Sequence, residues 1–117
     1  MKSNKRRKMT TQEGELMKEL LTRANLNPPF DWVNELLVSE MNDGNMGSLC
    51  LYPPGITENN QRLFGQQISE YIFKDTDNID VIASLNLDKN GMLFELDIWK
   101  TNFNPTIKLA LISKEEE

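Results

Sequence analysis

Val81-Ile82-Ala83-Ser84-Leu85-Asn86-Leu87-Asp88-Lys89-Asn90-Gly91-Met92-Leu93-Phe94-Glu95-Leu96-Asp97-Ile98-Trp99-Lys100-Thr101-Asn102-Phe103 reads as a β-hairpin, and it decides the fold. Asn90-Gly91 predicts a two-residue type I′ turn, because both central residues of that turn need φ > 0 and Asn-Gly supplies it at least cost. Such a turn sets Lys89 opposite Met92, Leu87 opposite Phe94, Leu85 opposite Leu96 and Ala83 opposite Ile98, with every apolar pair on one face. A three-residue loop, Lys89–Gly91, would set Leu85 against Glu95 and Ala83 against Asp97. A slip of one residue turns every side chain to the other face, so the two-residue turn is expected.

Working outward, Gln66 to Lys74 reads as a strand with Ile68 and Ile72 on one face and Tyr71 and Phe73 on the other. Two apolar faces suggest a central position in the sheet. Asp75-Thr76-Asp77-Asn78 is a turn. It fails as a calcium loop, since Ile79 stands where an oxygen ligand is required, Asp80 where glycine is and Asn86 where glutamate is. Earlier, Val38–Met41 and Gly47–Tyr52 flank Asn42-Asp43-Gly44-Asn45 as a first hairpin, and residues 53–61 form a loop. After the central hairpin, Ile107, Leu109 and Leu111 alternate as a last strand.

The start of the chain is helical. Thr10-Thr11-Gln12-Glu13 has capping-box spacing, and Met17, Leu20, Leu21 and Ala24 form an apolar stripe. Pro28-Pro29 is expected to end that helix. Phe30, Val33 and Leu37 keep helical spacing for a short second helix over residues 29–37. Helices first and strands after predict an α+β domain, an antiparallel sheet of about five strands with one or two N-terminal helices on one face. The stripe should pack on Val81, Ala83, Leu85, Leu87, Phe94, Leu96 and Ile98.

At 117 residues the chain holds one domain, expected over residues 10–113, between a disordered basic tail (residues 1–9) and an acidic end (residues 114–117). Residues 2–8 carry five of the 13 Lys/Arg, leaving eight against 18 Asp/Glu in the rest, a net of −10. So acidic a body repels phosphate backbones, and nucleic-acid binding by the folded domain is not expected. There is no histidine and one cysteine, Cys50. That removes His-paired nucleophiles and the usual zinc sites, and no metal or cofactor is expected. No apolar run is long enough to span a bilayer, so the cytoplasm is the expected compartment and no membrane partner is expected.

The other face of the hairpin carries the candidate chemistry. Ile82 faces Trp99, Ser84 faces Asp97 and Asn86 faces Glu95. Glu95 and Asp97 lie about 7 Å apart along the strand, a spacing that suits an acid–base pair in a hydrolase. The same pattern is also the polar side of a half-solvated strand, the commoner outcome. Trp99 and Lys100 beside two acids suit a contact surface, since tryptophan is favoured at binding hot spots. The expected function is therefore a non-enzymatic protein-binding domain using Glu95, Asp97, Trp99 and Lys100, of the immunity-inhibitor kind with a basic protein partner. The alternative is a carboxylate-dependent hydrolase using Glu95 and Asp97.

Three stretches, Met41 to Leu49, Phe64-Gly65 and Leu93 to Lys100, resemble a family of small bacterial proteins that share a domain of unknown function. The resemblance covers about residues 12–108. Asn45 and Asn78 stand where that family has glycine, and asparagine tolerates the left-handed conformation such turns need. Asn102 stands where it has aspartate. The resemblance implies no activity, cofactor or site residue.

Overall fold

The computed structural model describes residues 5–107. Along the chain come β1 (Arg7–Lys8), α1 (Thr11–Ala24), α2 (Trp32–Glu35), β2 (Leu37–Glu40), β3 (Leu49–Tyr52), β4 (Phe64–Lys74), β5 (Asp80–Asp88) and β6 (Leu93–Lys100). The strands form one sheet in the order β1-β2-β3-β6-β5-β4, with every pair antiparallel. The class is α+β, with six strands among the described residues where about five are expected. Lys108 to Leu111, the rest of the expected last strand, lie outside the described residues; Ile107 is exposed in a bend.

β1 comes from the basic stretch whose composition suggests a solvated tail. Arg7 pairs with Val38 and Lys8 with Leu37. The Arg7 guanidinium also donates twice to Glu13, at 2.9 and 3.0 Å. Glu13 is the buried acid of the capping box, which forms as the spacing predicts: Thr10 Oγ1 accepts the Glu13 N–H and Glu13 Oε1 accepts the Thr10 N–H.

α1 ends earlier than Pro28-Pro29. Asn25 takes the left-handed conformation (φ 55°), and the N–H of Leu26 reaches back to the Leu21 carbonyl at 3.0 Å. This closes the helix with the Leu21 and Thr22 carbonyls satisfied, so the prolines only keep it closed. The second helix shrinks to four residues: Leu37 has left it for β2 and Val33 is 66% exposed.

The central hairpin keeps the expected register over most of its length, pairing Ala83 with Ile98, Ser84 with Asp97, Leu85 with Leu96 and Asn86 with Glu95. Its tip differs. The Gly91 N–H bonds the Asp88 carbonyl and the Asp88 N–H bonds the Met92 carbonyl, so Lys89–Gly91 is a three-residue loop. Only Gly91 has positive φ, at 83°, as expected for a type I turn followed by a left-handed residue. Leu87 then pairs with Leu93 rather than Phe94, and a bulge at Phe94 restores the alignment by Asn86–Glu95. The two loop lengths thus coexist, one at the tip and the other below it.

Among the described residues β4 is an edge strand, not a central one. Shifts between Phe64 and Gln66 and between Gln67 and Ser69 break its pairing with β5. The second shift carries Ile68 to the side of Tyr71 and Phe73, which pack on the core, while Ile72 is 56% exposed. Leu16, Met17, Leu20 and Leu21 of α1 cover Val38, Leu49, Leu51, Leu96, Ile98, Val81, Ala83, Leu85 and Leu87. Each large side chain so buried contributes about 1.5–3 kcal/mol. Among the described residues no helix lies on the sheet's other face.

Candidate functional site

Three rows of side chains cross the sheet face away from α1, which is not open throughout, since Ser39 and Asn86 are buried on it. Ser39, Cys50, Glu95, Asn86 and Gln67 are successive cross-strand partners from β2 to β4. Asp97, Ser84 and Glu70 form the next row, and Trp99, Ile82 and Ile72 the third. Polarity therefore grades across the face, from hydroxyl, thiol and amide through carboxylate to hydrocarbon.

The apolar row is widened by Phe103, whose ring lies 5.7 Å from that of Trp99. Trp99 is 43% and Phe103 68% exposed. Phe103 has φ 67°, an uncommon conformation for a bulky residue. Its N–H bonds the Lys100 carbonyl at 2.8 Å. Just before it, Asn102 Oδ1 accepts the Asn104 N–H at 3.0 Å, closing a turn for which a neutral amide suffices.

Lys100 does not share this surface. It lies on the helix side of β6, opposite Val81, with its side chain 1% exposed, and donates to Asp75 at 2.9 Å and Asp77 at 2.7 Å. Burial pushes its ammonium down, but the hydrogen bonds to Asp77 and Asp75 outweigh that and hold it above the ordinary value. Of the four residues expected to bind, Glu95, Asp97 and Trp99 come together and Lys100 does not. Alternation along β6 already puts Lys100 off the face of Trp99; its charge suggested exposure that two aspartates have removed.

Burial raises the Glu95 carboxyl, Asp97 raises it further, and Arg62 opposes them. Burial also raises the Asp97 carboxyl; a hydrogen bond from Asn86 lowers it and Asp43 raises it again. Asn86 Nδ2 donates to Asp97 Oδ2 at 2.9 Å. Its Oδ1 is buried with no hydrogen-bond partner among the described residues. Burial lifts the Cys50 thiol, against hydrogen bonds from Ser39, Asn59 and Tyr52.

The loop from Pro53 to Leu63 joins β3 to β4 across the ends of β6 and β5, and Arg62 fastens it there. Arg62 donates to Asp88 at 3.0 Å, to the Leu51 carbonyl at 2.6 Å, to Asn59 at 3.1 Å and to the Leu93 carbonyl, and lies 5.1 Å over the Phe94 ring. The sequence carries no periodic signal that singles out Arg62. Asn86 and Phe103 were readable as positions, not as contributors.

A groove of about 710 Å³ between α1 and α2 is lined by Met9, Lys18, Trp32 and Val33 among others. A smaller one, about 170 Å³, is lined by residues including Arg7, Glu13 and Asp43. Neither is lined by Glu95 or Asp97. Among the described residues no group of three or more His, Cys, Asp or Glu could hold a metal ion, and no helix is long and apolar enough to cross a membrane.

The molecule is thus a small α+β domain in which, among the described residues, helices cover one face of the sheet and not the other. It belongs to the family described as Domain of unknown function (DUF6984), whose model matches residues 6–110. No curated protein and no solved structure matches the chain.

Proposed function

We propose that the chain is a non-enzymatic binding domain that takes a basic protein partner on the Trp99 side of the sheet face away from α1, and that it acts as an inhibitor of the immunity type. The observation that supports this reading most is the exposed Trp99–Phe103 pair beside Asp97 and Glu95 on a sheet face that no helix covers among the described residues. An aromatic anchor supplies the energy of a contact, and the flanking carboxylates supply the charge that selects a basic partner and speeds its approach. The net of −10 outside residues 1–8 adds a steering field of the same sign. Toxic nucleases, which must bind nucleic acid, are basic targets of the kind such a domain would neutralise.

The experiment is stopped-flow association with a partner recovered from the host. Trp99→Ala should weaken binding by about 2 kcal/mol or more. Raising the salt concentration should slow association, and Asp97→Lys should slow it at low salt. A partner whose affinity and association rate ignore all three changes would place binding elsewhere.

A further inference from the structure

We propose that the groove between α1 and α2 is closed by the same groove of a second copy of the chain. The two copies pair about a two-fold axis with their α1 helices antiparallel, so that Glu15 of each faces Lys18 of the other. In one chain the groove is open: it measures about 710 Å³, and Val33 on its α2 wall is 66% exposed while Trp32 beside it packs on the core. Its other wall is the side of α1 away from the sheet, where Thr11, Glu15, Lys18 and Thr22 follow one another at helical spacing. A dimer built there leaves the Trp99 side of the sheet free in both copies.

Two observations select a second copy as the occupant. The first is charge. On the β4 side of α1, Glu19 pairs with Arg23 at 2.8 Å, and Arg23 lies 4.6 Å over the Tyr71 ring. On the groove side, Glu15 and Lys18 pair neither with each other nor with any other charge among the described residues. A two-fold contact brings residue i of one copy to residue j of the other, and j to i. Antiparallel helices crossing between Leu16 and Met17 set Thr11 against Thr22 and Glu15 against Lys18, twice each. The row Thr-Glu-Lys-Thr is its own complement in that arrangement, whereas a parallel pair would set like charges together. The second observation is Gly14, which stands inside α1 and lines the groove. Glycine in a helix interior costs stability relative to alanine, and a Cβ here would meet nothing within 4 Å. Nothing within the chain calls for glycine at this position; the close approach of a second backbone does.

The test is analytical ultracentrifugation of the full chain over a concentration series. The unaltered chain should form dimers that dissociate on dilution. Lys18→Glu and Glu15→Lys should each weaken the dimer about tenfold or more, because both ion pairs become like-charge contacts. Circular dichroism of the dilute variants should match that of the unaltered chain. The exchanged variant Glu15→Lys, Lys18→Glu should dimerise again. So should a mixture of the two single variants, whose rows complement each other but not themselves. Val33→Asp should weaken the dimer as well, since it places a charge on the apolar wall. A chain that stays monomeric up to about 1 mM would overturn the proposal and leave the groove to a different partner. A dimer indifferent to these variants would overturn it too, because its contact would lie elsewhere. Loss in the single variants without recovery in the exchanged variant and the mixture would overturn the antiparallel pairing.

Discussion

The Ser48 hydroxyl holds Ile98 from both sides: its Oγ accepts the Ile98 N–H at 2.8 Å and donates to the Ile98 carbonyl at 3.1 Å. β3 and β6 pair only through Leu49–Leu96 and Cys50–Glu95. Just before β3 begins, a side chain therefore does what the next backbone pair would have done. Asp43 positions Ser48 in turn, accepting the N–H groups of Met46 and Ser48.

Ser48→Ala should destabilise the domain by about 2 kcal/mol, since it leaves a buried N–H and a buried carbonyl of Ile98 without partners. Chemical denaturation measures this. A loss no larger than that of an exposed substitution such as Thr57→Ala would mean that water replaces the hydroxyl.

Gly65→Ala should cost about 2 kcal/mol or more. A Cβ there would lie 2.3 Å from the Asp88 carbonyl oxygen, and backbone cannot swing aside as a side chain can. Gly14→Ala in α1 meets nothing within 4 Å and should stabilise by about 0.5–1 kcal/mol. Equal effects of the two would show that Phe64 and its neighbours shift freely at the first break in β4.

Deleting residues 2–8 should lower the melting temperature, contrary to what composition suggests. Glu13, with a 9% exposed side chain, would lose the bidentate partner Arg7. Arg7→Ala alone should cost on the order of 2 kcal/mol, less than a fully buried pair because Arg7 is itself 32% exposed. A truncated domain that melts unchanged would show that Thr10 alone satisfies Glu13.

Stability should depend on pH in opposite senses at two places. Glu95 and Asp97 have raised carboxyls, chiefly through burial. They favour the fold most when protonated, and that contribution is lost as pH rises through their folded values. Burial also raises Glu13 and Asp88, but the hydrogen bonds from Arg7 and Thr10, and from Met92, Arg62 and Asn90, outweigh it and hold both down. Their contribution is present above the ordinary carboxylate range and lost as pH falls through their folded values. The maximum should lie nearer about pH 5 than about pH 8. The double variant Glu95→Gln, Asp97→Asn should gain stability at about pH 8 and little at about pH 5. Equal gains at both would show that charge is not the cause.

Alternation along β5 and β6 was legible because one face had to be apolar, and that fixed the partners from Ala83–Ile98 to Asn86–Glu95. The tip was not. Asn-Gly favours a two-residue turn, yet Asp88 Oδ1 accepts the N–H groups of Asn90 and Met92 and so holds the longer loop. Nothing in the alternation shows that a bulge at Phe94 can absorb one residue. The capping box was legible because its partners are three residues apart; Arg7–Glu40 and Lys100–Asp75 were not, because theirs are 33 and 25 apart. Asn45 and Asn78 do take the left-handed conformation expected of them, at φ 65° and 70°. The composition of the face away from α1 could be read from the hairpin, but not how far the loop carrying Asn59 and Arg62 reaches over it.

The irregular pairing of β4 bears on how crowded molecules of this protein behave. An edge strand offers unpaired N–H and C=O groups to any other strand, and a long flat one invites growth into fibres. Here the edge is eleven residues long, but its ladder is broken twice near the start, and Glu70 and Lys74 place opposite charges along the rest. A second copy laid against it would find its backbone groups out of step. A variant with both breaks removed would turn that protected margin into a template, and cloudiness on concentration, not lost melting temperature, would be the first sign.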